Sequence, residues 1–408
     1  MRMLQVRGCV LALALLAPHL PAAAADAVVE WNQKAAAAAS EAKQYPFQAA
    51  RTMAIVHTAM FDAMNSIDRR YAPYKFQEAA PAGSSAEAAG VAAAHAALVK
   101  LYPEQKAGLD AAYQESLARI ADGPGKSSGI AVGEAVAAKI LSLRASDGSD
   151  APNTYRPLTT PGAYVPTSLP IGSQWGNVSP WVMERTSQFR PGAPPALSSD
   201  AWAHDYNESK EIGGKKSITR TPQQTEIARF WIVTGPDSWD PIARQLAAAP
   251  GRSFIQNARL FALLETATAD AYIAVFEAKY HFHFWRPVTA IRNGDLDGND
   301  ATDRDAAWEP LIDTPMHPEY PCAHCITSAA ARAVLESEFG TGPQALSMTS
   351  RTAPGVERKW SSIKDWAEEV SAARIYGGIH YRNSTVVGAA MGRKIGELAA
   401  QNYLKPVH

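Results

Sequence analysis

The sequence has few cysteines, almost no net charge and no apolar run long enough to cross a membrane. Of its 408 residues, 3 are Cys, and 39 Lys and Arg stand against 40 Asp and Glu. Without an excess of positive charge, binding to nucleic acid or to an acidic membrane surface is not expected. A membrane helix needs roughly 20 apolar residues in succession, and no stretch of this sequence provides them. These absences favour a small-molecule substrate.

Residues 1–25 are typical of a signal peptide. Early arginines precede an apolar run from Cys9 to Ala17, and a series of small residues suits cleavage near Ala25. We therefore predict a secreted or periplasmic protein. Cys9 would be removed with this segment, so only Cys322 and Cys325 would remain in an oxidising compartment.

Helical apolar spacing dominates the rest of the chain. Residues 26–146 are alanine-rich and predict an N-terminal region of four or five helices. Prolines and glycines multiply over residues 147–198, which predicts a long ordered loop. Helical spacing resumes over residues 199–408, the predicted catalytic bundle, and no alternating strands stand out. The predicted fold class is all-α, with two packed four-helix-type bundles and long ordered loops; at this size a homodimer is a base-rate expectation.

The segment KYHFHFWRPVTAIR places two cations among aromatic residues. Lys279 and Arg286 are seven residues apart, so on one continuous helix they would share a face. Such a pair is usually a solvated stripe, but the aromatic neighbours favour burial, and buried cations need an anionic partner. Because the segment contains no acid, we expect a bound anion. The flanking His281 and His283 diverge on a helix and are interpreted as packing residues.

The segment HPEYPCAHCITSAAARAVL predicts a helix that begins just after Pro321. The free N–H groups and the dipole of a helix start favour an anion. His324, in the first turn, would then lie beside it. The alternative is a histidine that only completes the helix start.

The segment ARIYGGIHYRNS carries Arg374 and His380, six residues apart. An unbroken helix would place them on different faces. Gly377 and Gly378 supply a break that would let both side chains converge on one point. The alternative is an ordinary turn between helices with incidental charges.

Together the three segments resemble the signature of the vanadium-dependent haloperoxidases and type 2 phosphatidic acid phosphatases. The family pattern K-x6-RP, PSGH and SR-x5-H is matched in order by KYHFHFWRP, PCAH and ARIYGGIH. The upstream AARTMAIVHTAMFDAMNSIDRRYAPY also resembles bacterial haloperoxidase-like members. This resemblance implies a vanadate cofactor, with phosphate able to occupy the same site. It assigns oxyanion binding, with one apical and one acid/base histidine, to these residues: Lys279, Arg286, Ala323, Arg374, His380 (apical, metal ligand or phosphoryl nucleophile) and His324 (acid/base).

Three positions depart from the family pattern. Cys322 replaces its serine, Ala323 its glycine, and Ala373 the serine before the arginine. Two hydroxyl donors to the oxyanion are therefore missing, and a thiol is a weak donor. The backbone N–H of Ala323 can still donate if its φ is negative.

Cys322 and Cys325 form a C-x-x-C that brackets His324. A thioredoxin-like redox motif would require a preceding strand, and haem attachment would require histidine where Ile326 stands. We therefore favour a short structural disulfide. His317, seven residues before His324, stands where the resemblance places a halide-tuning residue, and it favours bromide or iodide.

Three functions are compatible with these residues. The leading one is a vanadate-dependent haloperoxidase that oxidises halide with hydrogen peroxide. The second is a secreted acid phosphatase that acts on small phosphate esters through a phosphohistidine at His380. The third is a non-catalytic or redox-active oxyanion-binding protein.

Overall fold

The computed structural model describes residues 26–407; the predicted signal peptide lies outside this range. The described chain is almost entirely helical. Its α-helices are α1 (Ala27–Glu41), α2 (Pro46–Asp68), α3 (Ala86–Leu101), α4 (Lys106–Ala118), α5 (Pro124–Arg144), α6 (Asp200–Gly213), α7 (Pro222–Phe230), α8 (Asp240–Ala247), α9 (Phe254–Phe282), α10 (Pro287–Arg292), α11 (Ala323–Phe339), α12 (Ile363–Tyr376) and α13 (Arg382–Asn402).

Helix α9 is the centre of the molecule. Its 29 residues are apolar on nearly all sides, and most of them are buried. One side packs on α2 of the N-terminal region, and another packs on α11 and α13 of the C-terminal region. A helix that is apolar all round belongs in the middle of a protein, because no face of it gains from water. The two helical regions therefore share one continuous core across α9.

The segment 147–198 contains no α-helix, as its prolines and glycines predict, and it is ordered against α9. The Asp270 carboxylate, buried in α9, accepts the backbone N–H groups of Trp181, Val182 and Met183 at 2.7–2.8 Å. Both Trp175 and Trp181 are buried. Three hydrogen bonds to one carboxylate fix this loop where it crosses the bundle.

Helices α11 and α13 approach each other unusually closely along a stripe of glycines. A Cβ atom at Gly392 would lie 2.0 Å from the Ile326 carbonyl oxygen, and one at Gly396 would lie 2.4 Å from the Ala330 oxygen. No larger residue fits at these positions. This contact fixes the start of α11 beside the start of α13, which brings two of the predicted functional segments together.

One antiparallel hairpin departs from the expected strand-free fold. Strands β1 (Leu346–Ser350) and β2 (Ala353–Trp360) pair with Leu346 opposite Trp360. The inward side chains Leu346, Met348 and Ser350 alternate with more exposed ones. Five residues of alternation in a polar context are too few to stand out in the sequence. No described helix is both long enough and apolar enough to span a membrane.

Candidate active site

The structure gathers the predicted site residues around one cavity of about 840 Å³. They come from the end of α9, the start of α10, the segment before α11, the first turn of α11, and the α12–α13 turn. The side chains of Lys279 and Arg286 are fully buried and do not line the cavity. The other five line it directly: His317, Ala323, His324, Arg374 and His380.

The structure places Lys279 and Arg286 on the same side of the site, but not through a shared helix face as the sequence predicted. Helix α9 ends at Phe282, and His283 adopts a left-handed conformation with φ of 52°. Arg286 then lies in extended backbone at the N-cap of α10. The two cations therefore do not share a continuous helix face, and that part of the prediction was wrong. A sharp reversal at His283 brings Arg286 back toward the end of α9.

The Lys279 ammonium is held by backbone oxygens alone. Its Nζ donates to the carbonyls of Pro318 at 2.9 Å and Glu319 at 2.7 Å. An ammonium has three donors, so one N–H remains for a ligand. Burial and the neighbouring Arg286 charge lower the pKa of Lys279 well below its usual value.

Arg286 holds the histidines of the site in place. Its Nε donates to the His317 carbonyl at 3.0 Å and Nη1 to the Ile379 carbonyl at 2.8 Å. Nη1 also contacts His380 Nε2 at 3.2 Å, and Nη2 contacts His317 Nδ1 at 3.0 Å. Burial lowers the pKa of this guanidinium to about 10, so it stays charged at neutral pH.

Arg374 reaches the site because α12 stops at the predicted glycine break. Gly378 has φ of 71°, and a Cβ there would lie 2.2 Å from the Gly213 carbonyl oxygen, so both the turn and the contact require glycine. Arg374 Nη1 donates to the Trp231 carbonyl, while its buried Nε has no partner among the described residues. Burial lowers the pKa of Arg374 to about 9. A cation with an unused buried donor is suited to bind an anion.

Glu319 is the functional-site residue that the sequence analysis missed. Its Oε1 lies 2.6 Å from His380 Nδ1, and both side chains are buried. Burial raises the pKa of Glu319 to about 7, against the opposing effect of Arg286 and Lys279. Burial and the same two cations lower the pKa of His380 well below its usual value. An acid between Pro318 and Pro321, just before the helix-start histidine, was the available signal, since ligand histidines commonly pair with a carboxylate.

His324 lies in the first turn of α11, as predicted, and points into the cavity. Its Nε2 lies 3.2 Å from the Val233 carbonyl oxygen. A carbonyl only accepts, so Nε2 carries the proton and Nδ1 is the basic nitrogen of the neutral ring. Burial, followed by the Arg374 charge, lowers the pKa of His324 well below its usual value. Ala323 begins the helix in α conformation, so its N–H is an available donor.

His317 lies between Arg286 and the cavity. Its Nδ1 lies 3.0 Å from Arg286 Nη2, which only donates, and 3.2 Å from the Pro318 carbonyl oxygen, which only accepts, so these two contacts favour opposite tautomers. His317 also packs edge-on against Phe276, with ring centroids 5.3 Å apart. The residue therefore places a polar ring beside an aromatic side chain at the cavity.

Cys322 and Cys325 are joined by a disulfide in the structure, with Cα atoms 5.4 Å apart. Cys322 is the N-cap of α11, and its Sγ accepts the Cys325 N–H at 3.2 Å. Both sulfurs are buried beneath α13, where a Cβ at Gly388 would come within 2.7 Å of the Cys322 carbonyl oxygen. The bridge spans the two residues, Ala323 and His324, that face the cavity.

Two minor features of the sequence do not contribute to a site. His281 is exposed, which does not agree with its interpretation as a packing residue, whereas the His283 ring packs at a tilt against Tyr155, with ring centroids 5.6 Å apart. In the Asp-rich run 293–303, which partly resembles a calcium-binding loop, the Asp297 carboxylate accepts hydrogen bonds from Trp202 and Thr302 at 2.8–2.9 Å. No cluster of His, Cys, Asp and Glu suited to a metal occurs within residues 26–407.

The charge balance of the site favours an oxyanion with more than one negative charge. Three buried cations, Lys279, Arg286 and Arg374, face a single carboxyl group, Glu319. Lys279 has a third N–H beyond its two carbonyl contacts, and Arg374 Nε is unpaired among residues 26–407. A tetrahedral oxyanion satisfies both requirements, because it offers several acceptor oxygens and a double charge.

Sequence comparisons with known proteins match part of the chain. Residues 259–408 match the model of the VCPO second helical-bundle domain. The vanadium chloroperoxidase of Curvularia inaequalis is 29% identical over a segment that covers 34% of this chain and 27% of that protein. The chain thus spans about a quarter of that relative.

Solved structures match over nearly the whole chain. A bacterial vanadium-dependent iodoperoxidase superposes with a TM-score of 0.80 at 24% identity, covering 93% of this chain and 97% of the other. An apo bacterial vanadium-dependent chloroperoxidase gives 0.73 at 17% identity, covering 87% and 92%. The all-α fold is therefore confirmed. Residues 259–408, which carry the candidate site, are thus similar to the VCPO second helical-bundle domain, and the fold of the chain is that of the bacterial vanadium-dependent haloperoxidases.

Proposed function

We propose that this protein is a vanadate-dependent haloperoxidase that converts hydrogen peroxide, halide and a proton to hypohalous acid and water. The observation that carries the proposal is the excess of buried positive charge around His380 at the base of a cavity. The similarity to haloperoxidases over nearly the full length supports this function ahead of phosphate-ester hydrolysis. We also propose that residues 1–25 direct export, in line with the disulfide at Cys322 and Cys325.

The residues present fit vanadate. Lys279, Arg286, Arg374 and the Ala323 N–H would hold its oxygens, and the Nε2 lone pair of His380 would bind the metal. Vanadate, when bound, supplies a Lewis acid that activates peroxide while keeping one oxidation state. The missing serine hydroxyls are partly offset by the Arg374 Nε donor, which is buried and unpaired among residues 26–407.

His324 supplies the base for peroxide. The Nε2–H of His324 donates a hydrogen bond to the Val233 carbonyl oxygen. Nδ1 of the neutral ring is therefore free to accept a proton from peroxide. The low pKa of His324 keeps the ring neutral at the start of the reaction. The added negative charge of an oxyanion would raise that pKa, so the ring can hold the proton and return it to the leaving oxygen.

His317 and Phe276 provide the environment for halide. In the tautomer that the Arg286 contact favours, His317 can donate its Nε2–H to an anion, and Phe276 lies against the same ring. A large, weakly hydrated halide loses little on leaving water for such a partly apolar surface. We propose that iodide and bromide are oxidised in preference to chloride.

The test compares purified mature protein with and without orthovanadate. The assays are halogenation with peroxide and each halide, and hydrolysis of a phosphate ester. We expect halogenation that depends on vanadate, and a loss of about 100-fold or more in the His380→Ala variant, which removes the metal ligand. Hydrolysis inhibited by vanadate, without halogenation, would instead identify an acid phosphatase. Unchanged activity in His380→Ala would overturn both assignments.

A further inference from the structure

Glu319 connects three parts of the site through one residue. Its side-chain Oε1 lies 2.6 Å from His380 Nδ1 and accepts the Tyr381 N–H at 3.2 Å. Its backbone carbonyl accepts from Lys279 Nζ at 2.7 Å. Its backbone N–H donates to the Phe284 carbonyl at 2.8 Å. The end of α9, the reversal that follows it, and the α12–α13 turn therefore all contact this residue.

The hydrogen bonds around His380 define which ring nitrogen carries the proton. Arg286 Nη1 lies 3.2 Å from Nε2, and a guanidinium has no acceptor atom. Nε2 must therefore present its lone pair, and the proton of the neutral ring must be on Nδ1. Glu319 is the acceptor at Nδ1, so both neighbours of the ring require the same tautomer.

The other group near this nitrogen is a weaker partner. Ser384 Oγ lies 3.5 Å from Nδ1, at the limit of a hydrogen bond, and a hydroxyl can donate as well as accept. A serine as the sole partner at Nδ1 would therefore select neither tautomer and would leave the choice to the 3.2 Å Arg286 contact at Nε2. The carboxylate removes this ambiguity, because in its ionised form it can only accept.

We propose that Glu319 is the positioning residue that fixes His380 in the Nδ1–H tautomer, with the Nε2 lone pair directed to the oxyanion. The assignment of that oxyanion as vanadate rests on the proposed function. A carboxylate on the far side of the ring also increases the electron density at Nε2 and so strengthens a bond to a metal. Without it, part of the protein would present an N–H where a lone pair is needed.

The chain offers two informative substitutions and a matched control. Glu319→Gln keeps the shape and an acceptor oxygen but removes the charge. Glu319→Ala removes the acceptor. The control is Asp205→Asn, because Asp205 is also a buried carboxylate near this turn and accepts the Asn383 N–H at 3.0 Å without contacting the ring.

The readouts are the ¹⁵N chemical shifts of the His380 ring, which report the tautomer, and calorimetric titration with orthovanadate. We expect Glu319→Ala to mix the tautomers and to weaken vanadate binding about 100-fold. Glu319→Gln should retain the tautomer and lose about tenfold in affinity. Asp205→Asn should leave the ring shifts and the affinity at wild-type values.

These measurements separate the role of Glu319 from the proposed activity. Wild-type ring shifts and affinity in Glu319→Gln and Glu319→Ala would overturn the positioning role. If Glu319→Ala does not fold, full wild-type vanadate affinity in the near-isosteric Gln variant would have the same meaning. A changed tautomer in Glu319→Ala, in a protein whose wild type halogenates nothing, would retain the positioning role and reject the haloperoxidase.

Discussion

Helix α9 contributes to two buried clusters of like charge, one of cations and one of carboxyl groups. The two clusters differ in what can neutralise their charge. At its C-terminal end, Lys279 lies in the cationic site with Arg286 and Arg374. Near its middle, Glu265 lies against Asp240 of α8, and both carboxyl groups are fully buried. Each cluster has fewer opposite charges than charges of its own sign. Among the charged groups of the two clusters, only Arg374 lines the cavity of about 840 Å³.

The acidic pair has two means of neutralisation: a shared proton, and Arg244, whose Nη1 lies 4.0 Å from Asp240 Oδ2. Asn32 donates to Asp240 at 3.1 Å and Trp239 donates to Glu265 at 3.4 Å, while one oxygen of each carboxyl has no other partner. Burial and the mutual repulsion of the pair raise the pKa of Glu265 well above its usual value, and burial also raises that of Asp240. The two carboxyl groups can share one proton and lose most of their repulsion.

The two arginines of the cationic cluster have no such option. A guanidinium does not release its proton at any physiological pH, so Arg286 and Arg374 keep their charges wherever they are buried. Glu319 offsets part of this positive charge, and an anion from outside can relieve the rest. At the same degree of burial, the two carboxyl groups can neutralise each other by sharing a proton. The arginines cannot, and they therefore favour the binding of an anion.

The largest effect that tests this comparison is expected from Arg374→Met. Loss of a charge-assisted donor should weaken vanadate binding about 10- to 100-fold. Without vanadate or phosphate, the same change should stabilise the fold by up to about 2 kcal/mol, because it removes an uncompensated buried charge. Calorimetric titration and denaturant unfolding in anion-free buffer measure the two effects.

Arg144→Met is the matched control for that stability effect. Arg144 is equally buried, but it is bonded to Asp147 at 2.8 Å and to the Ser179 carbonyl at 2.7 Å. Its removal should destabilise the fold by about 3 kcal/mol and leave vanadate affinity unchanged. If both arginine variants lose stability alike, the cationic cluster is an ordinary structural network and the comparison does not hold.

The sequence predicted those parts of the site that local spacing determines. The glycine break between Arg374 and His380 and the helix start at His324 follow from neighbouring residues, and the structure has both. The end of α9 at His283 was missed because YHFHFW is compatible with a continuing helix. Only the packing of the following residues favours the reversal there.

Glu319 and the acidic pair could not be predicted in the same way. Glu319 meets His380 across 61 residues of chain. Glu265 meets Asp240 only because α8 packs on α9. A buried carboxyl has no local pattern of its own, since its partners are set by tertiary packing.

A smaller effect is expected from the start of α11, which adds partial positive charge to the cationic cluster. In Cys322→Ala/Cys325→Ala, the disulfide and the N-cap are both lost, and vanadate binding should weaken about 3- to 10-fold. In Cys322→Ser/Cys325→Ala, a hydroxyl can cap the helix or donate to the oxyanion, so affinity should stay at the wild-type level or exceed it. Equal affinity in all three proteins would show that this helix start contributes nothing to anion binding.

The smallest effect is expected from Glu265→Gln, and it concerns stability alone. Because the folded pKa of Glu265 is raised, its contribution to the free energy of unfolding is complete below the unfolded pKa of about 4.3 and is lost as pH rises through the folded pKa. Wild-type protein should therefore lose stability toward alkaline pH. The amide of Glu265→Gln can donate to Asp240 at every pH and does not titrate. The free energy of unfolding of this variant should therefore depend less on pH, and at pH 8 it should exceed that of the wild type by about 1 kcal/mol.

Thermal unfolding at a series of pH values measures this difference, and vanadate affinity should not change. Parallel profiles would mean that the pair does not share a proton in the folded protein. A loss of vanadate affinity in Glu265→Gln would mean that the two clusters on α9 are coupled. In that case the protonation of Asp240 and Glu265 would contribute to the electrostatic potential at the oxyanion site.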